Sequence, residues 1–74
     1  MQVTIKLFAM FREGRFETAE RECPPGTTIG GLVDGLGIAR EEIGVLLLGG
    51  RHAALEQVPA SGDTIAIFPL LGGG

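Results

Sequence analysis

The residues best suited to chemistry lie at the end of the chain, where Phe68-Pro69-Leu70-Leu71 runs into Gly72-Gly73-Gly74. A run of glycines adds nothing to a core and loses more backbone freedom on ordering than any other residue type. What it offers is slenderness: a backbone without side chains that ends in an α-carboxylate and could enter a narrow channel in a partner. Neither Gly73 nor Gly74 widens the approach to that carboxylate with a side chain. Pro69 cannot donate a ladder hydrogen bond, so it closes the strand pattern ahead of it. From Leu70 onward the chain can reach ~17 Å when fully extended, at ~3.3–3.6 Å per residue.

Other candidates for chemistry are weaker. Cys23 is the only cysteine, which excludes an internal disulfide and fits a reducing, cytoplasmic compartment. Glu20 and Glu22 stand beside it and oppose a thiolate, so it reads as a small packed residue at a strand end. His52 has no second His and no Cys near it, and no metal site is expected. The segment from Gly30 to Gly37 is glycine-rich, but it lacks the Lys-Ser/Thr of a phosphate loop and lies inside a helical pattern. Glu41, Glu42, Glu56 and Asp63 read as solvated surface. No nucleophile–base pair has a recognisable spacing, so the chain is not expected to catalyse a reaction by itself.

The elements that must position the tail can be read from periodicity. Val3, Ile5, Leu7, Ala9 and Phe11 occupy alternate positions and predict a strand from Gln2 to Phe11. Its other face would carry Phe8 and Met10. A turn at Arg12–Arg15 leads to a returning strand from Phe16 to Glu22. After Pro24-Pro25-Gly26, Thr27 or Thr28 can cap a helix whose apolar face is Ile29, Leu32, Val33 and Leu36, with Gly37 and Ile38 closing its end. Gly30, Gly31 and Gly35 weaken that helix by ~1 kcal/mol each relative to Ala, so packing must hold it. These glycines would also let helix and sheet approach closely. One helical turn in the 39–42 segment precedes a strand at Ile43–Leu48. Gly49-Gly50 is a hairpin turn into a short edge strand from Arg51 to Leu55, and a loop then precedes the last strand, Thr64–Phe68.

The order β-β-α-β-β-β implies an α+β fold: a mixed sheet of four to five strands with one main helix on one face. The crossover is long enough for the first and last strands to run parallel at the centre. Phe8, Met10 and Phe68 would then gather on the uncovered face, as a partner-docking patch. Seventy-four residues give a single small domain, expected to comprise residues 1–69 with a flexible tail at 70–74. Net charge is −3 with no basic run, which argues against nucleic acid and anionic membrane as partners. The longest apolar stretch is too short to span a bilayer.

Taken together, Lys6-Leu7-Phe8-Ala9, Arg12-Glu13, the Gly62–Pro69 segment and the terminal Gly73-Gly74 resemble the MoaD/ThiS sulfur carriers. The resemblance covers essentially the whole chain. The Gly-Asp-strand-Phe-Pro segment, at a fixed distance from Gly-Gly, is its most specific part. The chain looks most similar to the MoaD branch, the small subunits of molybdopterin synthase. It departs from that branch in having Leu70 where a second proline is usual and Gly72 where Ala or Ser is common.

The resemblance implies a ubiquitin-like β-grasp fold and a non-catalytic carrier. A ubiquitin-activating-like adenylyltransferase of MoeB type would use ATP to adenylate Gly74. A sulfur donor would then displace AMP to leave a thiocarboxylate. A large synthase subunit of MoaE type would receive that sulfur for a pterin precursor of the molybdenum or tungsten cofactor. The chain itself would bind no cofactor. Phe8, Met10, Phe68, Pro69, Leu70, Leu71 and Gly72 would contact these partners. Thiamine or cysteine synthesis are alternative destinations for the sulfur. A modifier that joins Gly74 to a lysine by an isopeptide, or a plain interaction domain with an unmodified tail, are alternative functions.

Overall fold

The computed structural model describes residues 1–71. Its elements are β1 (Gln2–Leu7), β2 (Thr18–Glu22), α1 (Ile29–Gly35), β3 (Ile43–Leu48), β4 (Arg51–His52) and β5 (Thr64–Pro69). They form a mixed sheet in the order β2-β1-β5-β3-β4. β1 and β5 pair in parallel, with Ile5 opposite Ile65 and Leu7 opposite Ile67, and the other described pairings are antiparallel. The expected central pairing of first and last strands is therefore present. No helix among the described residues is long and apolar enough to cross a membrane.

Alternation sets the core. Val3, Ile5 and Leu7 of β1 and Ile65 and Ile67 of β5 point to one side, where Ile29 and Val33 of α1 meet them together with Phe11, Ile38 and Leu46. Full burial of such side chains stabilises the fold by ~1.5–3 kcal/mol each. Leu32 and Leu36, from the same helical stripe, pack at the margin. Cys23 is buried at the end of this core, as a small packed residue.

The helix begins and ends as its sequence prescribes. Thr28 is the N-cap, and its Oγ1 accepts a hydrogen bond from the Gly31 N–H at 3.0 Å. At the far end the Gly37 N–H donates to the Asp34 carbonyl and the Ile38 N–H to the Val33 carbonyl. These are the paired bonds of a Schellman cap, with buried Ile38 as its hydrophobic contact. Arg40 then donates to both carboxylate oxygens of Asp34, at 3.0 and 2.9 Å. Those hydrogen bonds hold the Asp34 carboxyl below its ordinary range.

Several local expectations are corrected. The first strand stops at Leu7, and Ala9 to Arg12 form a 3-10 turn. The break is at Ala9, whose φ of +51° turns the chain out of the sheet. That turn sends Phe11 into the core, 2% exposed, and lets the Arg12 Nε donate to the Leu7 carbonyl at 2.7 Å. Met10 is thereby carried off the sheet face and left 47% exposed. The returning strand starts at Thr18 rather than Phe16, and the edge strand ends at His52 rather than Leu55.

The helix glycines also have a different neighbour. The Ile29 and Gly30 N–H groups donate to the Gln57 and Leu55 carbonyls at 2.9 and 2.8 Å, which satisfies donors that a helix start leaves free. A Cβ on Gly30 would lie 2.6 Å from the Arg40 guanidinium. Its smallness serves this loop and Arg40, not the sheet. Asp63 is more than solvated surface. Its Oδ2 accepts from the Ala60 N–H at 2.8 Å, and its carbonyl accepts from the Thr4 N–H at 2.9 Å. The Gly62-Asp63 pair thus pins the start of β5 against β1.

Candidate partner-docking groove

The helix covers one face of the sheet and leaves the other open. Register places Phe68 of β5 opposite Val45 of β3, Ala66 opposite Leu47, and Leu47 opposite His52 of β4. These residues share the open face because directly opposed residues point to the same side. Phe8, just beyond β1, stacks on Phe68 with ring centroids 4.0 Å apart and planes 10° from parallel. Such a pair contributes ~0.5–1.5 kcal/mol beyond the area it buries. The Arg12 guanidinium carbon lies 5.3 Å from the Phe8 centroid, within cation–π range. Neither ring is fully buried, so the stack is a preformed apolar surface.

Beside the stack runs an open groove of about 570 Å³. Phe8, Ala9 and Phe68 line it together with Gly44, Val45 and Leu47 of β3 and His52 of β4. Pro69, Leu70 and Leu71 line it too, so the groove includes the last described residues of the chain. Leu70 and Leu71 are 60% and 91% exposed. Together with the groove they make a contiguous apolar surface.

Gly44 positions the base of the tail. β3 pairs with β5 through a register shift between Ile43 and Val45, and Gly44 is the residue in the shift. A Cβ there would meet the Pro69 carbonyl oxygen at 2.8 Å and the Leu70 Cα at 3.0 Å. The absence of a side chain lets Pro69 and Leu70 lie against β3, where the Leu70 N–H donates to the Glu42 carbonyl at 2.8 Å. A lone glycine inside a strand pattern is a signal for a bulge or a close backbone approach. That signal was present at Gly44, and reading Ile43–Leu48 as a plain strand missed it.

Of the expected contact residues, the structure brings together Phe8, Phe68, Pro69, Leu70 and Leu71. Met10 stands apart, on the turn after β1, and does not line the groove. Val45, Leu47 and His52 join the site through register, which sequence alone does not supply. The expectations for Gly72, Gly73 and Gly74 lie outside the described residues. Among the described residues no group of three or more His, Cys, Asp or Glu side chains is placed to hold a metal.

Comparison with known proteins then settles the kinship. The model of a family described as Mut7-C ubiquitin matches residues 4–72. The chain belongs to that family. Small archaeal modifier protein 1 of Haloferax volcanii is 28% identical, with all of both chains covered and a TM-score of 0.78. A protein described as molybdopterin converting factor subunit 1, from Pyrococcus furiosus, is 22% identical over 96% of this chain and 99% of its own, with a TM-score of 0.79. A structure of the complex of subunits 1 and 2 of the Helicobacter pylori molybdopterin-converting factor contains a chain 18% identical, all of both chains covered, with a TM-score of 0.67. At these last two identities the likeness is one of fold. No match was found among curated protein sequences. The ubiquitin-like β-grasp expected from the MoaD/ThiS resemblance is the fold observed, and the chain is a ubiquitin-like protein of that kind.

Proposed function

We propose that this protein is a sulfur carrier whose Gly74, as a free C-terminus, is adenylated and then converted to a thiocarboxylate. A carboxylate carbon is shielded by delocalised negative charge and must acquire a leaving group before sulfur can attack it. A MoeB-type enzyme would supply that group by adenylating Gly74 with ATP. The terminal sulfur of a persulfide donor then attacks the acyl carbon and AMP leaves; a thiol cleaves the resulting acyl disulfide, releasing the thiocarboxylate and itself ending in a disulfide with the donor. The thiocarboxylate anion is a stronger nucleophile than the carboxylate it replaces. Its destination in this reading is a pterin precursor held by a MoaE-type large subunit, as part of molybdenum or tungsten cofactor synthesis. Catalysis belongs to the partners.

The observation that supports this reading is that the groove beside the Phe8–Phe68 stack is lined as far as Leu71, the residue that precedes Gly72-Gly73-Gly74 in the sequence. A partner seated on the open face would receive the tail at one end of its contact. The Helicobacter pylori subunit, seen in complex with a second subunit, has the same fold. The experiment is intact-mass analysis after incubation with ATP, a MoeB-type enzyme, a persulfide donor and a thiol reductant. One oxygen exchanged for one sulfur at the C-terminus is the expected change. An unaltered mass, with an activating enzyme shown to load its own carrier, would overturn the proposal.

A second reading, a protein modifier joined to lysines through Gly74, is favoured by the identity with the archaeal modifier protein. The two readings share the adenylate and part after it. Lysine conjugates in cells would identify the modifier; free thiocarboxylate alone would identify the carrier.

A further inference from the structure

Away from the open face, the sheet has a row of backbone groups that no strand takes up. β2 stands at one end of the strand order, and no strand among the described residues lies beyond it. Along a strand, successive residues turn their N–H and carbonyl groups to opposite sides. The odd positions around β2 spend theirs on β1. The Cys23 N–H donates to the Met1 carbonyl at 2.8 Å, and the Leu7 N–H donates to the Glu17 carbonyl at 2.9 Å. In that register Thr18, Glu20 and Glu22 turn their groups outward. An edge of this kind is a template for another extended chain.

The two faces of that edge differ. Glu20 and Glu22 lie opposite Thr4 and Gln2, on the open side of the sheet, whereas Ala19 and Arg21 lie opposite the core residues Ile5 and Val3, on the helix side. The helix side holds a groove of about 280 Å³, lined by Arg21 and Glu22 of β2, by Gly31, Leu32 and Gly35 of α1, and by Leu36 just after it. Leu32 and Leu36 are half-buried and lend it apolar surface. The two glycines keep it open: a Cβ on Gly35 would meet nothing within 4 Å, and one on Gly31 nothing nearer than 3.5 Å.

Charge selects among the chains that such an edge could accept. Glu22 is already paired with the Met1 α-amine at 3.2 Å. Glu20 accepts from the neutral Gln2 amide at 3.3 Å, and none of the ion pairs among the described residues uses it. A second copy added antiparallel about Glu20 would set Glu20 against Glu20, and like charges directly opposed are destabilising. A cation at the same position is favoured.

From these placements we propose that the outer edge of β2, with the groove it shares with α1, is a second docking site. Its occupant is an extended segment of a partner protein that adds as a further strand. A lysine or arginine of that segment stands opposite Glu20. The apolar side chains on either side of that cation point to the other face, over Leu32 and Leu36. The groove beside the Phe8–Phe68 stack is lined by none of these residues, so the proposal is independent of the carrier function.

The test is an NMR titration of the isotope-labelled full-length protein with a short blocked peptide in which valine and lysine alternate. The amides of Thr18, Glu20 and Glu22 should shift and exchange more slowly with solvent, and the methyls of Leu32 and Leu36 should shift with them. Glu20→Lys should weaken this peptide by ~5-fold or more and strengthen a valine–glutamate peptide. Gly35→Leu fills the groove from an unobstructed position and should also weaken binding, with a native circular dichroism spectrum. Shifts confined to the Phe8–Phe68 groove, equal affinity of the natural protein for both peptides, or no binding would each overturn the proposal. So would unchanged affinity in either variant, or self-association through β2 when the protein is alone.

Discussion

Two side chains and one missing side chain organise the proposed docking surface. Phe8 and Phe68 are held ring on ring before any partner arrives, so little further ordering is needed when one does. Buried aromatic anchors are the residues on which interfaces most depend, commonly at ~2 kcal/mol or more each. Phe68→Ala should therefore weaken binding to a MoeB- or MoaE-type partner by ~10-fold or more, as read by calorimetry. Circular dichroism should show a folded domain, because the ring lies outside the core. Gly44 acts by absence. Gly44→Val would put a branched side chain where the Pro69 oxygen already lies 2.8 Å from a single added carbon. Displacement of the tail base should slow loading by at least ~10-fold, since misplacement by ~1 Å can cost more than that. Native-like thermal unfolding with slow loading is the expected combination; normal loading would show that Gly44 does not set the tail's course.

The helix is the element with least to spare. It is seven residues long and three of them are glycine. It survives through its caps, its two bonds to the 55–57 loop and its packing. Thr28→Ala removes the Oγ1 that accepts the Gly31 N–H and should cost ~1 kcal/mol. In a domain of this size that lowers Tm by ~4–8 °C, measurable by scanning calorimetry. The far end of the helix is tied by charge. The Asp34 carboxyl is held low chiefly by its hydrogen bonds from Arg40. Folding thus favours the ionised form. The stabilisation is complete above the unfolded-chain value near pH ~4 and is lost as pH falls through the carboxylate range. Both partners are exposed, so the effect is small. Asp34→Asn should flatten part of the acid limb of the stability–pH profile and leave its alkaline limb unchanged, as followed by urea unfolding at a series of pH values. Arg15 makes a third tie, donating to the Leu36 and Gly37 carbonyls at 2.9 and 3.1 Å, where the helix end leaves acceptors free.

At the scale of the molecule, the proposed function divides recognition and chemistry between body and tail. In that reading, fixing a tail residue in a partner's channel costs ~1–2 kcal/mol, which contacts on the folded face would offset. A synthetic Phe68–Gly74 peptide should therefore be adenylated far less efficiently than the whole protein. Comparable kcat/KM for the two would remove the groove from the argument. Much of this architecture was legible in the chain. Strict alternation in Val3-Ile5-Leu7 and Ile65-Ile67 gave the central strands, and Thr28, Gly37 and Ile38 marked the helix ends. What escaped was decided by tertiary context. Alternation continues through Ala9 and Phe11, but the chain leaves the sheet at Ala9 to bury Phe11 in the core. Val45, Leu47 and His52 reach the groove only through cross-strand register, a long-range property that no local pattern carries. The central position of β5 has a mechanical consequence. It is bonded to β1 on one side and β3 on the other, and it is the strand that continues into Leu70. Tension applied at the C-terminus, against a hold on the start of the chain, would load the β1–β5 hydrogen bonds together in shear instead of opening them singly. A partner could draw the last residues taut and leave the domain intact.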